Sequence, residues 1–325
     1  MNESCNILIT SISRKVWLVK SFRNALEKEG VTGKIITTDI NPQSAGLYLS
    51  DDSFISPLTK DDRYISFILD LCKKEDIKLI IPTRDAELLI FASNQNKFLE
   101  NGIFVNISSP ESIQICTDKY LFFQKMKLLG FLTPPTFLPE DLVNNKINYP
   151  VIIKSRTGSG SKGIEKIENG TELHFYLDKF LNPIIQEFIT GKEYTIDILS
   201  DQNNQVISVV PRERIETVCG ESYKGKTVNN PDLIQYAKDL TEKLNLKGHI
   251  TIQCIIQNNQ IYVIEINPRF GGGAMLGIQS GADTPLFLIK MALGEKIHPI
   301  IGEFEENLLM LRYTEDLFIP ENETF

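Results

Sequence analysis

Two stretches of this chain carry side chains whose types and spacing could do chemistry. In the first, Tyr149-Pro150-Val151-Ile152-Ile153-Lys154 reads as a strand ending in a lysine. It runs into Ser155-Arg156-Thr157-Gly158-Ser159-Gly160-Ser161-Lys162-Gly163, after which Ile164–Ile167 reads as strand again. A loop of Gly, Ser and Thr can bring backbone N–H groups close to phosphate oxygens, and Lys154 adds a positive charge beside them. The order is strand–loop–strand with no G-x-x-x-x-G-K-[ST], so this is not a Walker loop. Taken alone, the composition also suits an ordinary hairpin loop.

The second stretch is Ile250–Ile256 and Ile261–Ile266, two strands around Gln257-Asn258-Asn259-Gln260. With a three-residue turn (Asn258, Asn259, Gln260), Gln253 faces Glu265 and Thr251 faces Asn267. One face then carries Thr251, Gln253, Glu265 and Asn267. The other carries Ile250, Ile252, Cys254, Ile256, Tyr262, Ile264 and Ile266. A two-residue turn would set Gln253 opposite Ile264, so the odd length is expected. An apolar back and an oxygen-bearing front suit a hard cation, and Mg²⁺ takes few protein oxygens. A solvent-facing polar face fits this stripe equally when it stands alone. However, Asn267-Pro268-Arg269-Phe270-Gly271-Gly272-Gly273 follows without a break, which is unusual for a plain surface hairpin.

A third segment, Val210-Pro211-Arg212-Glu213-Arg214 through Gly225-Lys226, is basic and punctuated by glycine. Arg214 or Lys224 is expected to touch an anionic substrate or a phosphate. His174, His249 and His298 are scattered and read as structural or surface residues. The five cysteines are spread without a C-x-x-C pair and read as reduced thiols.

Elements must position these groups. Val16–Glu29 has helical spacing and stops at Gly30, Lys34–Thr38 reads as strand, and Arg63–Lys74 is helical. Lys78–Ile81 is a strand stopped by Pro82, Ala86–Phe98 is helical, and Ile103–Val105 is again strand. This β-α-β-α rhythm predicts a parallel sheet with helices on both faces. The first strand leads into Thr10-Ser11-Ile12-Ser13-Arg14 without G-x-G-x-x-G, so no dinucleotide site is read there and Asp39 is assigned to a turn or surface role. Pro110–Cys116 and Asp118–Leu129 read as helices, with Asp118 as N-cap and Gly130 as stop. Phe131–Pro135 reads as a linker. Helices are expected near 171–180, 231–244 and 284–292. The fold class is α/β, with α+β character in the C-terminal units: 1–112, 113–190 and 191–325.

The chain has 325 residues, a net charge of −8 and ordinary hydrophobic content. Acidity argues against a general nucleic-acid binder. The N-terminus lacks the basic start of a signal peptide and no apolar run reaches membrane-spanning length. A cytoplasmic protein without membrane association is expected.

Together the residues resemble a family. Lys119, YPVIIK (149–154), the Gly/Ser loop, IIQEFITGKEYTID (184–197), Gln253, Glu265 and INPRFGGG (266–273) follow one another as in ATP-grasp proteins. The chain looks most like one ATP-binding half of the carbamoyl-phosphate synthetase large subunit. Residues 38–57 and 79–94 also resemble that subgroup's pre-ATP-grasp domain, an open parallel sheet. The resemblance implies that Lys119 and Lys154 hold ATP phosphates and that Gly158 to Gly163, including Ser159, Gly160 and Ser161, form a lid. It implies that Gln186, Glu187, Phe188 and Ile189 line adenine and that Glu193 accepts from ribose hydroxyls. Gln253, Glu265 and Asn267 would hold Mg²⁺, with Mn²⁺ as an alternative. Arg269 would lie near the transferred phosphate or the acyl intermediate, with Lys154 and Asn267 as further catalytic residues, and Gly272 would lie against substrate. One half without a glutaminase region points away from carbamoyl phosphate synthesis by this chain alone. The implied activity is a free-standing carboxylate–amine ligase acting through an acyl phosphate on a small carboxylic acid and an amine. The alternatives are a bicarbonate-activating subunit of the synthetase type and a non-catalytic ATP-binding sensor. A homodimer is compatible with the resemblance.

Overall fold

Short β-branched runs separated by amphipathic helices build the first sheet, because parallel strands need crossover connections. The computed structural model describes residues 4–143, 147–158 and 163–325. It opens with β1 (Asn6–Ile9), α1 (Val16–Glu29), β2 (Ile35–Asp39), β3 (Asp52–Ile55) and α2 (Tyr64–Lys74). It continues with β4 (Ile77–Ile81), α3 (Asp85–Ser93), α4 (Gln95–Leu99) and β5 (Phe104–Val105). The sheet order is β3-β2-β1-β4-β5, parallel throughout. α1 ends where Gly30 takes a left-handed φ of 66°. The C-terminal ends of the central strands feed the loops at Ser11–Lys15 and Thr83–Asp85, the edge where open α/β sheets bind ligands.

Two local expectations change and one holds. β3 is too short and polar to stand out as a strand, yet it pairs with β2. The helix expected over Ala86–Phe98 breaks into α3 and α4 at Asn94, whose Nδ2 donates to the Ile90 carbonyl at 2.9 Å. Such local side-chain bonds compete with the helix ladder. Asp39 does serve a turn, accepting from the backbone N–H groups of Ser13 and Asn41.

Next come α5 (Pro110–Thr117), α6 (Lys119–Leu129), β6 (Thr136–Phe137), β7 (Val151–Ser155), β8 (Ile164–Ile167), α7 (Gly170–Leu177) and β9 (Pro183–Glu187). Asp118 caps α6 by accepting from Tyr120 and Leu121 N–H, and Gly130 closes it at φ 78°. The small sheet is antiparallel, in the order β6-β9-β7-β8.

A larger antiparallel sheet follows, with β10 (Lys192–Ser200), β11 (Val206–Val218), β12 (Glu221–Thr227), α8 (Pro231–Lys243), β13 (Gly248–Gln257) and β14 (Gln260–Asn267). α9 (Ala274–Gln279), α10 (Thr284–Ala292) and β15 (Leu309–Leu311) complete the chain. The order is β14-β13-β10-β11-β12-β15. Its back is apolar: Ile196, Ile198, Ile250 and Ile252 pack with Leu233, Ala237 and Leu240 of α8. α9 and α10 follow this sheet and bury Ala274, Leu288 and Ile289 with Phe22 of α1 and Ile9 of the first sheet. That shared core fixes the segment after β14 against the loops of β1 and β4.

The β13–β14 turn differs from the expectation. It has two residues, Asn258 and Asn259, both at left-handed φ (50° and 59°), and Gln257 pairs with Gln260. Asparagine tolerates that conformation, which two-residue hairpins require. A bulge then restores the pairing: Cys254 faces Val263 but Gln253 faces Glu265 and Thr251 faces Asn267, so Ile264 is the extra residue. In consequence Val263 and Ile261, with Ile266, join the core cluster and Tyr262 and Ile264 do not.

Candidate active site

The front of the large sheet is the polar one. Register continues Asn267–Thr251 onto Asp197, and Glu265–Gln253 onto Thr195 and Arg212. The stripe read on one hairpin is therefore one end of a polar surface spanning four strands. Asn267 Nδ2 donates to Glu265 Oε1 at 3.0 Å, and Arg269 Nη2 donates to Asn267 Oδ1 at 3.2 Å. Arg269 also forms a bidentate pair with Asp85 at 2.7 and 2.8 Å. Asp85 lies at the start of α3, so the first sheet supplies one wall of the site.

Four cations from four elements share the field of Glu265. They are Lys119 at the start of α6, Lys154 at the end of β7, Arg214 on β11 and Arg269 after β14. Burial pulls the Lys154 ammonium down to about 8, with Glu265 opposing and Lys119 adding to the shift. Burial also lowers Lys119 and Arg214. Burial opposes the charge of Arg269 too, but Asp85 pushes it up instead. Such a concentration of partly desolvated cations attracts a polyanion.

Each cation is aimed by local bonds. Lys154 Nζ donates to Gln186 Oε1 at 2.8 Å, and Gln186 Nε2 donates to Thr136 Oγ1 at 2.9 Å. Lys119 Nζ donates to the Gly158 carbonyl at 2.8 Å, so it sits at the entry of the glycine loop. Arg156 braces that entry through Asp118 at 2.8 Å. Gly163 leaves the loop at φ 64°, while Ser159, Gly160 and Ser161 lie outside the described residues. The Gln186–Ile189 segment is the end of β9 and the two residues after it: Glu187 N–H donates to the Pro135 carbonyl and Phe188 N–H to that of Pro150. Beyond it, Glu193 is half-exposed, 3.3 Å from Arg214 Nε, beside a cavity of about 370 Å³.

The two basic candidates of the third segment part company. The Arg214 side chain is nearly buried on the polar front, donating to Thr195 Oγ1 and the Gly220 carbonyl. Lys224 lies exposed on the β11–β12 hairpin, 2.7 Å from Glu216. Gly272 is placed under Glu221; a Cβ there would stand 2.7 Å from the carboxylate. Gly271 and Gly273 press likewise on Thr251 and on Arg212. Arg212 is itself buried and paired with Asp197 at 2.6 and 2.8 Å.

Sequence reading missed Asp85, Thr195, Asp197, Arg212 and Glu221. Alternation along β10 and β11 could have flagged Thr195, Asp197 and Arg212; nothing local ties Asp85 to Arg269, 184 residues away. Among the described residues no group of three or more His, Cys, Asp and Glu could hold a metal. The set Gln253, Glu265 and Asn267 offers one carboxylate and two amides. Those hard oxygens fit a Mg²⁺ ion that draws its remaining ligands from phosphate and water.

Comparison with known proteins bears on these features. Residues 116–273 match the model of the ATP-grasp domain, and residues 7–106 match that of the PylC-like N-terminal domain. The carbamoyl phosphate synthase large chain of Clostridium beijerinckii is 28% identical over 264 residues, 75% of this chain and 24% of that one. This chain thus spans about a quarter of that relative's length. The biotin carboxylase domain of Hydrogenobacter thermophilus 2-oxoglutarate carboxylase, solved with MgADP and bicarbonate, superposes at a TM-score of 0.73. It is 18% identical, with 94% of this chain and 74% of that one covered. The L-amino acid ligase of Bacillus licheniformis gives 0.70 at 17% identity, covering 91% and 76%. At such identities the solved structures speak to the fold, which they share with this chain.

Proposed function

We propose that this chain, which carries an ATP-grasp domain behind a PylC-like N-terminal domain, joins a small carboxylic acid to an amine at the expense of Mg·ATP. The observation that carries this reading is that Lys119, Lys154, Arg214 and Arg269, from both antiparallel sheets and their flanking segments, all feel the charge of Glu265. Lys119 and Lys154 hold the ATP phosphates. Gln186, Glu187, Phe188 and Ile189 line adenine, and Glu193 receives the ribose hydroxyls. Gln253, Glu265 and Asn267 hold Mg²⁺, which neutralises phosphate charge when bound.

A carboxylate is a poor electrophile, and transfer of the γ-phosphoryl to its oxygen gives an acyl phosphate. The amine then attacks the acyl carbon, phosphate leaves, and an amide forms. Arg269, oriented by Asp85 and Asn267, faces the transferring group and steadies its charge. The sheet front has to position reactants and exclude water, since water would hydrolyse the acyl phosphate. This chemistry needs no protein nucleophile. Cytoplasmic action, and the division at about 112 and 190, belong to the same reading; among the described residues no helix is long and apolar enough to cross a membrane.

The likeness to carbamoyl phosphate synthase and to a bicarbonate-bound carboxylase domain favours one second reading, in which the activated acid is bicarbonate. Phosphate release from Mg·ATP, measured across acids, amines and bicarbonate with Glu265→Ala as control, tests both. Release needing both an organic acid and an amine supports the ligase; release on bicarbonate alone supports the second reading. Tight Mg·ATP binding with no stimulated release would contradict both.

A further inference from the structure

The mouth of the site holds a second cationic group that the ATP chemistry does not use. Arg14, in the loop after β1, donates to Glu221 Oε1 at 3.2 Å. Arg312, just beyond β15, donates to Glu221 Oε2 at 2.7 Å and also to the Gly272 carbonyl. Three distant parts of the chain thus meet over the Gly271–Gly273 loop, with one carboxylate bridged between two guanidinium groups. Arg312 is fixed at its backbone, whose N–H donates to the Tyr223 carbonyl at 3.0 Å. It lies outside the segment that matches the ATP-grasp domain. Arg14 is different: its side chain is 79% exposed and held by the Glu221 contact.

The nearby charges favour an anion here. Lys15, next to Arg14, is half-buried against Ser11 and Thr83; burial lowers its ammonium, with Arg269 and Arg84 adding to the shift and Glu87 and Asp39 opposing it. Glu221 balances only one of the two arginines that hold it. An exposed ion pair is weak and readily exchanged, so an incoming anion can displace Glu221 from Arg14. Arginine forks suit carboxylate and phosphate alike.

We propose that Arg14 and Arg312 form an anion subsite that reads a second negative group on the acid substrate, so that the preferred acid is dianionic. Glu221 occupies the subsite until that acid arrives. The proposal rests on the ligase reading for its place in the reaction, but binding at the subsite can be measured without turnover.

The test is calorimetric titration of the full chain, saturated with Mg·ADP, with succinate, glutarate and O-phosphoserine and with butyrate, valerate and serine. Each acid that carries the second negative group should bind about tenfold or more tightly than the counterpart that lacks it, the range expected of a charged hydrogen bond. Arg312→Ala and Arg14→Ala should each erase most of that preference, whereas Glu221→Gln should tighten dianion binding by removing the resident competitor. Phosphoserine against glutarate tells a phosphate from a carboxylate. Equal binding of dianions and monoanions, or loss of affinity in all three variants alike, would overturn the proposal. A preserved dianion preference without ADP formation from any acid–amine pair would sink the ligase reading and leave the subsite standing.

Discussion

Glu265 is the residue on which most of the site's charge depends. Its carboxylate faces four cations and holds the amide of Asn267. Glu265→Gln should keep the fold and lower Mg·ATP turnover about a hundredfold or more, since one lost electrostatic anchor costs that much. Circular dichroism and steady-state kinetics check the two halves of that statement. Lys154 gives a pH signature. Its ammonium, held down to about 8 by burial, is charged below that pH and neutral above it. Nucleotide affinity should therefore be flat below pH 8 and weaken as pH rises further; Lys154→Arg should remove the break. Titration of Mg·ADP across pH 6.5 to about 9.5 reads it directly. Asp85→Asn should lower kcat and leave Mg·ADP affinity nearly unchanged, because Asp85 orients Arg269 rather than touching nucleotide. It should also cost about 1–3 kcal/mol of stability, the penalty for a half-buried charge that loses its partner.

At the scale of elements, what was legible follows from local chemistry. Gly30 and Gly130 stop their helices through left-handed φ, and Asp118 caps α6 with its carboxylate. The cross-strand neighbours Gln253/Glu265 and Thr251/Asn267 were also readable. The reason for them was not. A two-asparagine turn plus a bulge at Ile264 gives the same two pairs as an odd-length turn; the Gln257–Gln260 pair and the burial of Val263 in the core tell them apart. The Arg269–Asp85 pair was invisible for a different reason: it depends on α9 and α10 packing against α1 and the first sheet. The glycines after Arg269 also acquire their meaning from tertiary structure. Gly273→Ala would place a methyl 2.4 Å from buried Arg212 Nη1, a contact that backbone or guanidinium must relieve. The variant should lose about 1–3 kcal/mol of stability and most activity, as overpacked sites do. Chemical denaturation and turnover measured on the same sample check it.

Over the whole molecule, the polar platform under the Gly271–Gly273 loop couples stability to pH. His249 stacks on Phe270 at 3.9 Å and is buried, which holds its imidazole down to about 4. The unfolded chain binds that proton near pH 6.5, so between 6.5 and 4 it holds more protons than the native state. Stability should be unaffected by this group above 6.5 and fall by about 3 kcal/mol as pH drops to 4. His249→Phe should flatten that slope, which urea denaturation at stepped pH would reveal. The central claim concerns the atom that links acid to phosphate. An acid labelled with ¹⁸O in its carboxylate, incubated with Mg·ATP and an amine, should yield one labelled oxygen in the released phosphate per amide formed. Phosphate carrying no label while amide accumulates would contradict activation through an acyl phosphate.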